Sequence, residues 1–271
     1  MPRHMTQPGR FAPGAVVVEF EDARTSWPVV RWAAAEAGRR GRELVVARPT
    51  SPGFVSGYPE AALALADSGD RPVWQLDRLV AGLASQHPGL SVSGIVLEPT
   101  PAALFELVDA VEAAVLVVGP GRGNVLPSRG QCPVVVVNGR ARRCESPRPV
   151  MVGVDAADTC VPALRFAFAF AHRDATAVRV VQAWSRRTPP AFGPDCPPEP
   201  MSPLVPALAD VVTGFPDVPF ELALAQGRPT RQLPARASDA ALLVVGERYA
   251  PRRMRSLVRK AVCPVAIVPR A

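Results

Sequence analysis

Lysine is almost missing from this chain: Lys260 is one of 31 basic residues, and the rest are arginine. With 32 prolines and abundant alanine, this reads as the bias of a GC-rich genome. The arginines are spread along the sequence, and the aromatic content of 6% offers none of the interleaved cations and rings on which single strands stack. Nucleic acid is therefore not the expected partner, despite a net charge of +7. No apolar run approaches the ~18–20 residues of a membrane helix, and residues 1–13 lack the apolar centre of a signal peptide. They read as a disordered tail, and the expected location is the cytoplasm. The five cysteines (Cys132, Cys144, Cys160, Cys196 and Cys263) are odd in number and show no C-x-x-C spacing, which argues against a disulfide framework and a zinc site. Cys132 and Cys263 precede apolar runs and are expected to fill core space. The histidines, His4, His87 and His172, have no ligand-type neighbours, so neither a metal nor a catalytic triad is expected.

What the sequence does contain is a long internal repeat. Leu116-Val117-Val118-Gly119 followed by Cys132-Pro133-Val134-Val135 returns as Leu243-Val244-Val245-Gly246 followed by Cys263-Pro264-Val265-Ala266. Thr25 to Ala33 mirrors Thr159 to Ala167. A near-constant offset of this length means two copies of one domain rather than a solenoid of short repeats. The boundaries read as a tail at 1–13, a first domain at 14–139, a linker at 140–148 and a second domain at 149–271. The linker is polar, basic and proline-containing, without apolar periodicity.

Short, continuous apolar runs alternate with helical patterns in both copies, which predicts an α/β fold with a parallel sheet covered on both faces. Strands are expected at 15–21, 43–47, 90–97, 114–119 and 133–138, with helices at 28–39, 73–86 and 101–112. The second copy predicts strands at 149–155, 178–184, 220–225, 241–246 and 264–268, with helices at 160–172, 208–213, 230–239 and 252–262. The gap between Gly119 and Cys132 is too short for a full crossover helix, so the last helix of the first copy is expected to be vestigial or absent. The proline-rich stretches 49–72 and 185–206 are expected to be long loops, offered as partner-facing surfaces.

The order of Val152-Gly153-Val154-Asp155, Ala163-Leu164-Arg165-Phe166-Ala167, Gly227-Arg228-Pro229, Asp239 to Gly246 and Cys263-Pro264-Val265 resembles the universal stress protein family, in a tandem form. The resemblance implies two Rossmann-like, adenine-nucleotide-alpha-hydrolase-like domains, each a five-stranded parallel sheet between helices. It also implies pairing of the two last strands as in an intramolecular dimer, with further homodimerisation left open. Many members of that family bind ATP through a G-x2-G-x9-G-[ST] loop after the fourth strand, with an aspartate closing the first. The physics is that of glycine backbones and a helix N-terminus approaching phosphates.

Both copies depart from that loop. Gly246 lies 17 residues before Cys263 and lacks the later glycines, while Asp155 matches the family aspartate. In the first copy Gly119, Gly121 and Gly123 remain without the rest of the motif, and Glu21 takes the aspartate's place. The resemblance therefore implies a stress-response regulatory or binding protein, not an enzyme, with lost or weakened ATP binding and no required cofactor. Its partner would be an unidentified protein. The alternative is an ATP or adenine-nucleotide sensor using the second domain through Val154, Asp155, Gly227, Gly246, Arg248 and Arg252, with guanidinium forks replacing the glycine loop.

Overall fold

The structure, a computed structural model, describes residues 11–21, 23–49, 72–98, 100–120, 132–138, 148–154, 160–184, 204–247 and 251–270. The chain divides into two compact units, Met1–Gly119 and Pro120–Ala271.

The first unit runs β1 (Val16–Glu19), α1 (Ala23–Arg40), β2 (Leu44–Pro49), α2 (Pro72–Gln86), β3 (Val92–Leu97), α3 (Pro101–Ala110) and β4 (Val115–Val118). Its strands are all parallel, in the order β3-β2-β1-β4. In α1, Val29, Val30, Ala33, Ala34 and Ala37 recur at helical spacing and are all buried. Arg39 and Arg40 close the helix where its dipole favours cations, and both pair with the buried Glu36 at 3.0 and 2.6 Å. Helix α2 presses on β3: a Cβ added at Gly94 would lie 3.0 Å from Leu76 and 3.1 Å from Val80. Thr100 caps α3, its Oγ1 accepting from the Ala103 N–H at 3.2 Å.

The second unit runs β5 (Val134–Val136), β6 (Val150–Val154), α4 (Val161–Arg173), β7 (Val178–Trp184), α5 (Leu204–Gly214), β8 (Phe220–Gln226), α6 (Pro229–Arg236), β9 (Leu242–Gly246), α7 (Pro251–Lys260) and β10 (Val265–Val268). Five of these strands form the expected parallel sheet, ordered β10-β9-β6-β7-β8. Strands β6, β9 and β10 are rich in valine, leucine and isoleucine because both of their faces are covered. Helix α6 lies on the face that Gly153 opens, where a Cβ would meet Leu233 at 2.6 Å. Helix α4 lies on the other face, with the Phe168 ring 5.9 Å from that of Phe220.

Strand β5 ends the first repeat, yet it belongs to the second compact unit. It pairs antiparallel with β10, with Val136 opposite Val265 and Val134 opposite Ile267. The division into compact units at Gly119/Pro120 places β5 with β10, its antiparallel partner. Asn138, just beyond β5, donates from Nδ2 to the carbonyls of Val258 (2.9 Å) and Ala261 (3.0 Å). It thereby satisfies carbonyls that the end of α7 leaves over.

Several boundaries differ from expectation. Helix α1 starts at Ala23, ahead of Pro28, so it carries a proline inside, where the missing N–H removes one helical bond and the ring crowds the carbonyl four residues back. Helix α5 starts at Leu204, so its first turn takes in residues expected to be loop. The 1–13 tail is tied down at its end, where the Ala12 N–H donates to Glu43 Oε2 at 2.9 Å. Residues 121–131, 139–147 and 185–203, which include the vestigial-helix gap and the linker, lie outside the described residues, as do 50–71. Among the described residues no helix is long and apolar enough to cross a membrane.

Two outcomes follow from this packing. Asn138→Ala strands two carbonyls in a buried place and should destabilise the protein by about 1–3 kcal/mol in denaturant titration. Burial pushes the Cys263 thiol up to about 11. The unfolded thiol ionises near 8.5, so unfolding releases its proton first and stability drains away as pH rises through about 11. The stability gap between the parent and Cys263→Ala should narrow by roughly 2–3 kcal/mol between pH 8 and 11. A gap that stays constant in urea titrations at the two pH values would contradict this burial.

Candidate ligand site at the strand ends

A parallel sheet sends all its carboxyl ends to one side, and ligands gather where the connections diverge to opposite faces. In the second unit that point lies between β6, which leads to α4 and β7, and β9, which is entered from α6. Gly153 pairs with Val245, so Val154 and Gly246 follow side by side at this divide. Val154 is 3% exposed and closes β6. Gly246 closes β9 opposite Val268, and the Glu247 N–H still donates to the Val268 carbonyl at 2.9 Å. The backbone thus remains committed to the sheet one residue beyond the glycine.

The other expected residues disperse. Gly227 follows β8, two strands from β6, which is roughly 10 Å at ordinary strand spacing. It adopts φ +132°, a conformation open to glycine, and a Cβ there would meet Gln232 Nε2 at 2.7 Å. The tight turn seats Arg228 as the N-cap of α6 with Pro229 behind it, without a side-chain cap bond. Arg252 is in the first turn of α7 and is exposed. Asp155 and Arg248 lie outside the described residues. The structure therefore brings Val154 and Gly246 together, sets Gly227 apart on the same rim, and places Arg252 on a helix surface.

Gln182 was not anticipated. It lies in β7 in register with Val154, it is 5% exposed, and its Oε1 has no hydrogen-bond partner among the described residues. A buried acceptor left open costs about 1–3 kcal/mol, and Gln182 is such an open acceptor at this rim among the described residues. The one signal for it is a glutamine inside the apolar run of Val178 to Trp184.

In the first unit, Val117 pairs with Val18, so Gly119 follows opposite Phe20, and Glu21 holds the place that Asp155 holds after β6. Glu21 is exposed, and its N–H donates to Ser26 Oγ at 3.2 Å. Gly121 and Gly123 lie outside the described residues. Among the described residues no three His, Cys, Asp or Glu side chains gather as a metal-holding group.

The strained turn gives a direct check. Gly227→Ala forces a Cβ into both an unfavourable φ and a close contact, so it should cost about 1–3 kcal/mol in denaturant titration. A loss below roughly 0.5 kcal/mol would mean that the turn is not built this way.

Comparison with known proteins places this geometry. The universal stress protein family matches residues 147–269. Universal stress protein Rv2623 of Mycobacterium tuberculosis is 28% identical over 256 residues, covering 86% of this chain and 86% of its own. In fold, a universal stress protein from Archaeoglobus fulgidus superposes with a TM-score of 0.68 at 10% identity, over 96% of this chain and 97% of its own. The cytoplasmic domain of a prokaryotic cation chloride cotransporter gives a TM-score of 0.52 at 12% identity, over 94% and 95%. At such identities a structural likeness speaks for the fold alone. Residues 147–269 thus carry a universal stress protein family domain, and most of the chain is similar to mycobacterial universal stress proteins.

Proposed function

We propose that this chain is a non-catalytic, tandem universal stress-type protein that regulates by binding a protein partner, its nucleotide loops eroded in both repeats. The observation that carries this reading is the shortness of the turn after β9. Glu247 is bonded into the sheet and α7 begins at Pro251, leaving residues 248–250 between them. A phosphate cradle needs several consecutive free amides turned towards the anion. Three residues between a strand and a helix cannot supply the spacer of a G-x2-G-x9-G-[ST] loop. In the first repeat, Glu21 in place of an aspartate supports the same reading.

The second reading is an adenine-nucleotide sensor in the second repeat, and the buried, open acceptor of Gln182 beside Val154 favours it. Under this reading Val154, Asp155, Gly227, Gly246, Arg248 and Arg252 line or flank the ligand, with ATP as the bound molecule.

Denaturing freshly purified protein and separating what it releases, followed by calorimetric titration of the stripped protein with ATP, decides between the two. The first reading expects no released nucleotide and an affinity weaker than about 1 mM. Micromolar ATP binding that falls at least tenfold in Asp155→Ala or Arg252→Ala overturns it in favour of the sensor.

A further inference from the structure

The net charge of this protein has an address. The stretch from Gly227 to Ala261 holds nine basic and two acidic residues, a surplus of seven, and the whole chain carries +7. The remainder is therefore balanced, and the arginines that look evenly spread in the sequence are not evenly spread in charge. Composition bias does not account for this. The corresponding stretch of the first repeat, Glu98 to Gly130, holds two basic residues, Arg122 and Arg129, against four acidic ones, Glu98, Glu106, Asp109 and Glu112.

The fold turns this stretch into a surface. Helices α6 and α7 pack side by side within the second unit. On α7, Met254, Leu257 and Val258 are buried, while Arg252, Arg253, Arg255, Arg259 and Lys260 are exposed. At 100° per residue these two groups fall on opposite halves of the helix, with Ser256 amid the cations. Beside it, Arg228, Arg231 and Arg236 are exposed at and along α6. None of these eight cations is in an ion pair among the described residues. Of the two acids in the stretch, Asp239 is already held by Arg179 at 3.1 Å. Eight like charges gathered on two helices repel one another, and among the described residues no ion pair offsets that repulsion.

We propose that the α6–α7 face binds the phosphate backbone of duplex nucleic acid, without sequence preference. Three features select this partner over an acidic protein. Seven of the eight cations are arginine, whose planar fork matches phosphate oxygens. The cationic half of α7 contains no aromatic or aliphatic side chain, whereas a protein interface is anchored by such groups. The apolar half of α7 is spent in the core, so nothing is left to enter an apolar pocket or a lipid layer. Helix α7 is about 15 Å long, and a neighbour at 8–10 Å doubles the width. That footprint spans several phosphates, and its strength comes from releasing their counterions.

The test uses the full chain and a fluorescein-labelled duplex of mixed sequence, about 30 base pairs long, followed by anisotropy between about 50 and 200 mM salt. Binding should weaken steeply with salt. R252Q/R255Q/R259Q should lose roughly tenfold or more in affinity at the lower salt, and its log–log salt slope should fall by about 3. R252K/R255K/R259K keeps the charge and should keep most of the slope, while R78Q, in the first unit, should change neither quantity. No duplex binding at the lower salt by the parent protein overturns the proposal. So does a Gln variant that binds like the parent, or a Lys variant that does not bind. Polyglutamate displacing the duplex at equal charge concentration also overturns it, and assigns the face to an acidic protein.

Discussion

A strand buried on both faces has no room for a polar side chain and no edge on which to turn back tightly. That constraint governs this protein. Strands β6, β9 and β10 are almost wholly aliphatic, and parallel pairing obliges every connection between them to cross a face of the sheet. The crossings are helices with one apolar half, and they carry all the carboxyl ends of the strands to one rim. The location of the candidate site, the burial of Cys263 and the two-sided character of α7 all follow from that arrangement.

Polar groups that do enter this interior are held by specific partners or left open at the rim. Glu36 is fully buried and answered by two arginines of its own helix. Asn138 reaches from beyond β5 to finish the hydrogen bonding of α7, so a residue at the end of one repeat completes a helix of the other. Gln182 stands apart, with an acceptor that no group among the described residues meets. Most of the remaining charge collects on helix exteriors, where nothing in the packing dictates its sign.

The two repeats show how one architecture supports different surfaces. Their strands occupy the same order, β3-β2-β1-β4 in the first unit and β8-β7-β6-β9 in the second. Yet α3 is acidic where α6 is basic, and Glu21 stands where the second repeat has Asp155. The structural likeness extends to a cotransporter's cytoplasmic domain as well as to an archaeal universal stress protein. A fold shared this widely positions a site without specifying its chemistry.

The sequence by itself determined the repeat, the α/β class and nearly every strand, because a buried parallel strand must be a short aliphatic run and a crossover helix must repeat its apolar residues every three to four positions. Val178–Trp184 falls where the sequence reading put it, residue for residue. Helix ends were less legible, as at Ala23 and Leu204, since each lies ahead of a proline, Pro28 and Pro206, that reads as a break in the helical pattern. At the rim, Gly227 could be foreseen from the Gly227-Arg228-Pro229 run that carries the resemblance, whereas Gln182 left its own polar letter in the strand and took on meaning through its register with Val154. Only the tertiary structure decided that Asn138 serves α7 and that the exposed cations of α6 lie on a helix packed beside α7, whereas the pairing of β5 with β10 was already implied by the resemblance. Periodicity reports which way a side chain points within its own element. Which elements lie beside each other is set by pairing and packing between residues far apart in the chain, and no local pattern records it.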